Sequence, residues 1–275
     1  MLGKLLKYDF KAVMKYWWIA ALTSFLLSFV GGFGIIAVTS ERKLPTIVMV
    51  VAVMGLVLVI ISYVVFYILS LFFIYARFYK NFFTDEGYLT FTLPVKRSQL
   101  LNSKLIMSIT TIFLTGIVCI IDVMILFTVA LAEEIFQPEI WVELKRGFDI
   151  LTQTVGIYLL VYIIEGLIII VLSVLFSCLF LFCCITFASI ISKKAKVLVA
   201  IGIYYGANWI LSLFVQIFSM FGISSLNTWL TNLPDISKFG LVALLLLGFI
   251  AFFGIFCALL YTLQYWMLDR KLNLN

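Results

Sequence analysis

Histidine is absent from the 275-residue sequence, which removes Ser–His and Cys–His catalysis and nearly all of the usual zinc sites. Charge is scarce, at 12% of residues against about 25% in ordinary soluble domains. With only 4 prolines and 16 glycines, and without the ten-residue alternation of a membrane barrel, the chain reads as helical. No G-x-x-x-x-G-K-[ST] occurs, because Gly3–Lys4 is the sole Gly-Lys pair and lacks the preceding glycine. The five cysteines (Cys119, Cys178, Cys183, Cys184, Cys257) all fall inside apolar runs. They show neither metal-ligand spacing nor a disulfide framework, and such thiols behave as small core hydrophobes.

What is present is apolar. Hydrophobic residues make up 65% of the chain and its mean hydropathy is +1.22. No water-soluble core of this size hides that much apolar surface, so the expected fold is an all-α integral membrane protein. Six runs are long enough to cross a bilayer: 16–38, 46–75, 105–131, 155–191, 197–221 and 239–263. A crossing needs about 20 residues at about 1.5 Å each. The fourth run exceeds that need, but Ser173, Ser177 and Cys178 supply no turn signal, so it is expected to be one long helix. No internal repeat is visible, and residues 1–275 are expected to form a single transmembrane domain.

Lysine and arginine set the orientation. One side receives Lys4, Lys7, Lys11 and Lys15; Arg77, Lys80, Lys96, Arg97 and Lys104; Lys193, Lys194 and Lys196; and Arg270 and Lys271, fourteen of the 19 cations. Both termini and the segment 82–104 are therefore expected on the cytoplasmic side of the cell membrane. The net charge of +6 reflects this asymmetry and an anionic inner leaflet, not nucleic-acid binding. Segments 132–154 and 222–238 become extracellular loops. In the second of these, Ile223, Leu226, Trp229, Leu230 and Leu233 can seat a short helix in the outer interface.

The N-terminal segment MLGKLLKYDFKAVMKYW carries no cleavage site of a signal peptide. Wound as a helix, it places Leu2, Leu6, Phe10, Val13 and Trp17 on one face and its four lysines on another. This pattern predicts an amphipathic helix over 1–15 lying in the cytoplasmic interface among membrane lipids. Trp17, Trp18, Tyr265 and Trp266 stand where an aromatic belt belongs.

The segment FFTDEGYLTFTLPVKRSQLLNSK, 82–104, interrupts the apolar pattern between the second and third spans. Thr84 can cap a helix, and Asp85 and Glu86 complement the positive end of its dipole. Pro94 stops it and pushes Leu93 towards an extended conformation, while Ser98 offers a second cap ahead of the third span. A helix of about two turns remains, bearing Tyr88, Leu89 and Phe91. At that length nucleation dominates and the helix needs something to pack on. Two partners are open: its own bundle, or a cytoplasmic protein for which the loop over 82–98 is a knob.

The stretch DEGYLTFTLPVKRSQLLNSKLI resembles the permease subunits of ABC transporters, in the type-2 exporter branch. That family commonly carries E-x-Y-L-T-x-x-L-P-x, then a small residue and lysine, at this point. The six-span plan, the amphipathic N-terminus and the partly apolar loop before span six are similar too. The resemblance implies a coupling helix that docks on a separate ATPase subunit through Asp85, Glu86, Tyr88 and Leu89. It also implies a second permease subunit, identical or related, and a substrate path between the two bundles. ATP and Mg would be bound by the partner ATPase and not by this chain, which is no enzyme by itself. Peptides, lipids, drugs and ions are all substrates within such a family.

Two carboxylates lie within the spans, Asp122 in the third and Glu165 in the fourth, each roughly ten residues from the outer end and so at depths of about 15 Å. No lysine or arginine in the apolar runs can pair with them, and an ionised group there is costly. They are either hydrogen-bonded packing groups or lining of a substrate path. Asn208 and Gln216 read as interhelical hydrogen-bonders. Glu133–Glu134 lacks the partners that intramembrane proteolysis needs. The function that the resemblance implies is an ATP-driven permease moving its substrate outward; the alternative is a non-transporting membrane scaffold or assembly factor.

Overall fold

The computed structural model describes the backbone at residues 2–39, 45–84, 87, 92, 95–132, 137–192, 195–231 and 235–270. Seven helices and no strand occur among the described residues: α1 Leu2–Thr39, α2 Thr46–Phe83, α3 Arg97–Ala130, α4 Pro138–Val155, α5 Tyr158–Ile191, α6 Lys196–Thr231 and α7 Asp235–Arg270. All but α4 are long and apolar enough to cross a membrane. Large apolar side chains such as Ile47, Val51, Met54 and Ile60 on α2 stand exposed along successive turns. Only hydrocarbon solvates such a surface favourably, so the chain is a multi-pass membrane protein.

Two compact units form, Met1–Lys80 with Asn102–Asp149, and Asn81–Leu101 with Ile150–Asn275. In the first unit α1 packs on α2 and α3. Trp17 is buried beside Phe66, Met107, Val13, Met14 and Ala21, its ring 5.6 Å from that of Phe66. Its indole N–H donates to Thr115 Oγ1 at 2.9 Å. Further along, glycines let the helices approach closely, as small residues do at membrane helix contacts. A Cβ on Gly32 would stand 2.6 Å from Val129 Cβ, and one on Gly34 would stand 3.2 Å from the Ala52 carbonyl oxygen.

This corrects the reading of the N-terminus. α1 is continuous over 38 residues, about 57 Å at 1.5 Å per residue, so the segment 1–15 is not a separate element. Its apolar face does not end in lipid either: Val13, Met14 and Trp17 are buried against α2 and α3. Trp17 belongs to a core and not to an aromatic belt, whereas Trp18, Tyr265 and Trp266 are exposed.

In the second unit α5 packs on α7 and α6. A stripe of Cys178, Phe182, Ile185 and Ala188 is buried. Gln264 Nε2 donates to Thr186 Oγ1 at 2.8 Å across the α7–α5 contact, and the Thr186 hydroxyl passes its own proton to the Phe182 carbonyl at 2.8 Å. The thiols of Cys183 and Cys257 face the carbonyls of Leu260 (3.6 Å) and Leu172 (3.8 Å), in keeping with cysteine as a weak donor in a core. α5 runs unbroken over 34 residues, as expected of the fourth span, but starts after Gly156. Residues 222–231 prolong α6 and do not form a helix of their own. The segment 132–154, expected as a loop, holds α4.

Candidate functional site

α2 ends at Phe83 and α3 begins at Arg97, so the connection spans 84–96, narrower than the expected 82–98. Asp85, Glu86, Tyr88 and Leu89 lie outside the described residues, as do Phe91, Leu93 and Pro94. Around them the frame is defined. The Thr84 carbonyl accepts the Gly87 amide at 2.7 Å, one turn that starts where a cap was expected. Gly87 is buried, and a Cβ there would stand 2.8 Å from the Phe82 carbonyl oxygen and 2.9 Å from its carbon. Those are main-chain atoms with no rotamer to escape into, so the close turn requires glycine. At the far side the Lys96 carbonyl accepts the amides of Gln99 (2.9 Å) and Leu100 (3.3 Å). Ser98 therefore lies inside the first turn of α3 and does not cap it.

Both ends of the connection are tied down. In the second unit Arg97 Nη1 donates to the carbonyls of Leu268 (3.1 Å) and Asp269 (2.6 Å) and to the Asp269 carboxylate (3.0 Å), at the end of α7. Lys196 Nζ, opening α6, donates to the Phe83 carbonyl at 3.4 Å. In the first unit Asp9 on α1 receives Lys104 Nζ at 2.5 Å and Arg77 Nε at 3.3 Å. Lys104 precedes the third apolar run and Arg77 ends the second. Sequence reasoning counted both as cytoplasmic loop cations and passed over Asp9. The local signal was an acid among four lysines, five residues ahead of Met14 on a half-apolar helix; its partners are 68 and 95 residues away.

The two intramembrane carboxylates are buried: Asp122, in the first unit, is 0% exposed and Glu165, in the second, 3%. Among the described residues, no group stands in hydrogen-bonding geometry to either Oδ of Asp122 or either Oε of Glu165. Ser24 lies close to Asp122, but its hydroxyl donates to the Ala21 carbonyl at 2.9 Å. One turn before Glu165, the Tyr162 hydroxyl is likewise committed, to the Phe239 carbonyl at 2.8 Å. A buried carboxyl inside a span fits either a packing role or a place on a path for a cation. Asn208 is half-buried and Gln216 exposed. Glu133 and Glu134 lie outside the described residues.

The second unit also has a cavity of about 180 Å³ lined by Ile169, Leu172, Ser173, Phe249, Ile250 and Phe253. Ser173, its one polar lining residue, donates to the Ile170 carbonyl at 2.8 Å, so the wall is effectively apolar. Glu165 lies one turn ahead of Ile169 on the same helix. No family model matches this chain, and neither does any curated protein or solved structure.

Proposed function

We propose that this chain is the membrane-spanning permease subunit of an ATP-driven exporter of the ABC type-2 kind, working in the cell membrane with both termini cytoplasmic. Support comes from the segment DEGYLTFTLPVK at the α2–α3 connection, a motif resembling the coupling segment of that family. The observation that carries the reading is mechanical. A turn too short to stand alone sits on a base tied to α6 and α7 through Lys196 and Arg97. A push on the 84–96 segment would thereby reach the ends of α6 and α7 through Lys196 and Arg97.

On this reading Asp85, Glu86, Tyr88 and Leu89 contact a separate ATPase that binds ATP and Mg. Closure of two ATPases moves two such segments, one per permease subunit, and exchanges inner for outer access of the path between the bundles. Asp122 and Glu165 line that path and favour cargo with a positive charge, while the apolar wall beside Glu165 favours cargo with a hydrophobic part.

Co-purification of the chain with a candidate ABC ATPase tests the assignment. Glu86→Ala and Tyr88→Ala are each expected to lose association or coupled turnover while the chain stays folded. Normal coupling in both variants would favour the scaffold reading. For the carboxylates, Asp122→Asn combined with Glu165→Gln is expected to lower export by the reconstituted transporter at least about tenfold, equivalent to ~1.4 kcal/mol of lost interaction. Unchanged export would return both residues to plain packing roles.

A further inference from the structure

The helix α4, Pro138–Val155, has 18 residues and buries none of them. Its start is well encoded: Pro138 occupies the first helical position, where a missing N–H is harmless, and Glu139 follows in the first turn. At 100° per residue, Ile140, Leu151, Leu144, Val155, Phe148 and Trp141 fall within an arc of about 100°. Glu139, Asp149, Arg146 and Gln153 occupy the opposite side. Among the described residues no side chain of α4 is buried, and an apolar stripe left this exposed suits another apolar phase.

Neighbouring residues identify that phase. α4 ends in Gly156, at φ 59°, the one positive φ among the described residues. The Gly156 amide closes α4 on the Thr152 carbonyl at 2.9 Å, and its own carbonyl accepts the Leu159 amide at 3.2 Å as α5 opens. Two residues therefore separate the helices, and the left-handed bend frees α4 from the axis of the span. Immediately afterwards Ile157, Leu160, Ile163 and Ile164 stand exposed, a surface suited to hydrocarbon. Tyr158 stacks on Phe239 at 6.4 Å and Tyr162 bonds to the same residue, with Lys238 beside them. Tyrosines and a lysine at one level mark the bilayer boundary, and α4 terminates at that level.

We propose that α4 lies flat in the headgroup–acyl boundary of the leaflet opposite the termini, its apolar arc in lipid and its charged side in water. The occupant is the lipid surface itself. Attraction comes from apolar burial and not from anionic headgroups, because α4 carries Lys145 and Arg146 against Glu139, Glu143 and Asp149. The inference does not rest on the ATPase reading.

The full-length protein in phosphatidylcholine nanodiscs provides the test. Single variants Leu144→Cys, Phe148→Cys and Leu151→Cys on one face, and Arg146→Cys, Asp149→Cys and Gln153→Cys on the other, are spin-labelled. The unsubstituted chain, whose five cysteines lie inside spans, gives the background. All six positions are exposed or half-exposed, so folding is expected to survive. The first three labels are expected to relax with oxygen and to lose nickel-chelate broadening, and the last three to do the reverse. High salt or added phosphatidylglycerol should leave the pattern unchanged. Nickel access at all six positions would place α4 in water and overturn the proposal. So would loss of both oxygen and nickel access at the first three, which would mean a protein partner or a second copy covers the face.

Discussion

Asp9→Asn is expected to destabilise the folded chain by about 3–5 kcal/mol, read as a lower midpoint in sodium dodecyl sulfate titrations from mixed micelles. Asp9 and Lys104 side chains are each 4% exposed, and Arg77 completes the group. Removing the carboxylate leaves the buried Lys104 ammonium without its acid, and breaking a buried ion pair from one side costs more than the attraction lost. The pair Arg97–Asp269 makes a useful contrast. At 44% and 46% exposure its coulombic part is worth about 0–1 kcal/mol, so Asp269→Asn should barely move the midpoint. The double change Asp9→Asn with Lys104→Met should recover much of the loss, because the orphaned charge is gone. An unchanged midpoint in Asp9→Asn would show that the ion pair does not hold α1 against α2 and α3.

Gly87→Ala has the second large effect, and it is functional. The new Cβ meets the Phe82 carbonyl group at 2.8 and 2.9 Å, so the turn closed by Thr84 and Gly87 must open. On the proposed reading the contact residues follow this turn directly, so their presentation to the ATPase depends on it. Misplacement on the order of an ångström lowers coupled rates by about ten- to a hundredfold. We expect coupled ATPase turnover to fall in that range while the detergent midpoint stays near that of the unsubstituted chain, since the strain is confined to the connection. Normal turnover in Gly87→Ala would mean that the shape of this turn is irrelevant to the activity.

Much of the architecture was legible because it follows from solvent. Runs of about 20 apolar residues read as membrane helices whatever they pack on, and all six appear. The N-terminal face of Phe10, Val13 and Trp17 was also read correctly as a face. Its covering was not, because a 3.6-residue period is identical whether lipid or a neighbouring helix lies opposite. Asp9 went unread for a related reason: nothing local announces partners that arrive from α2 and α3. α4 was legible in Pro138, Trp141, Leu144, Phe148 and Leu151, but the segment had been judged by its charges and its place between spans. Burial of Asp122 and Glu165 followed from their flanks. That the Ser24 and Tyr162 hydroxyls donate to main-chain carbonyls and not to these carboxylates is a matter of side-chain placement, which no sequence pattern carries.

The central claim concerns the segment between α2 and α3, and one measurement reaches it directly. Tyr88→Cys in sealed membrane vesicles of known orientation is treated with an impermeant thiol reagent and then with a bifunctional cross-linker, with and without the ATPase. The account predicts modification from the cytoplasmic side alone, protection by the ATPase, and a cross-linked product containing both chains. Modification only from the exterior, or a thiol unreactive even without the ATPase, would contradict it.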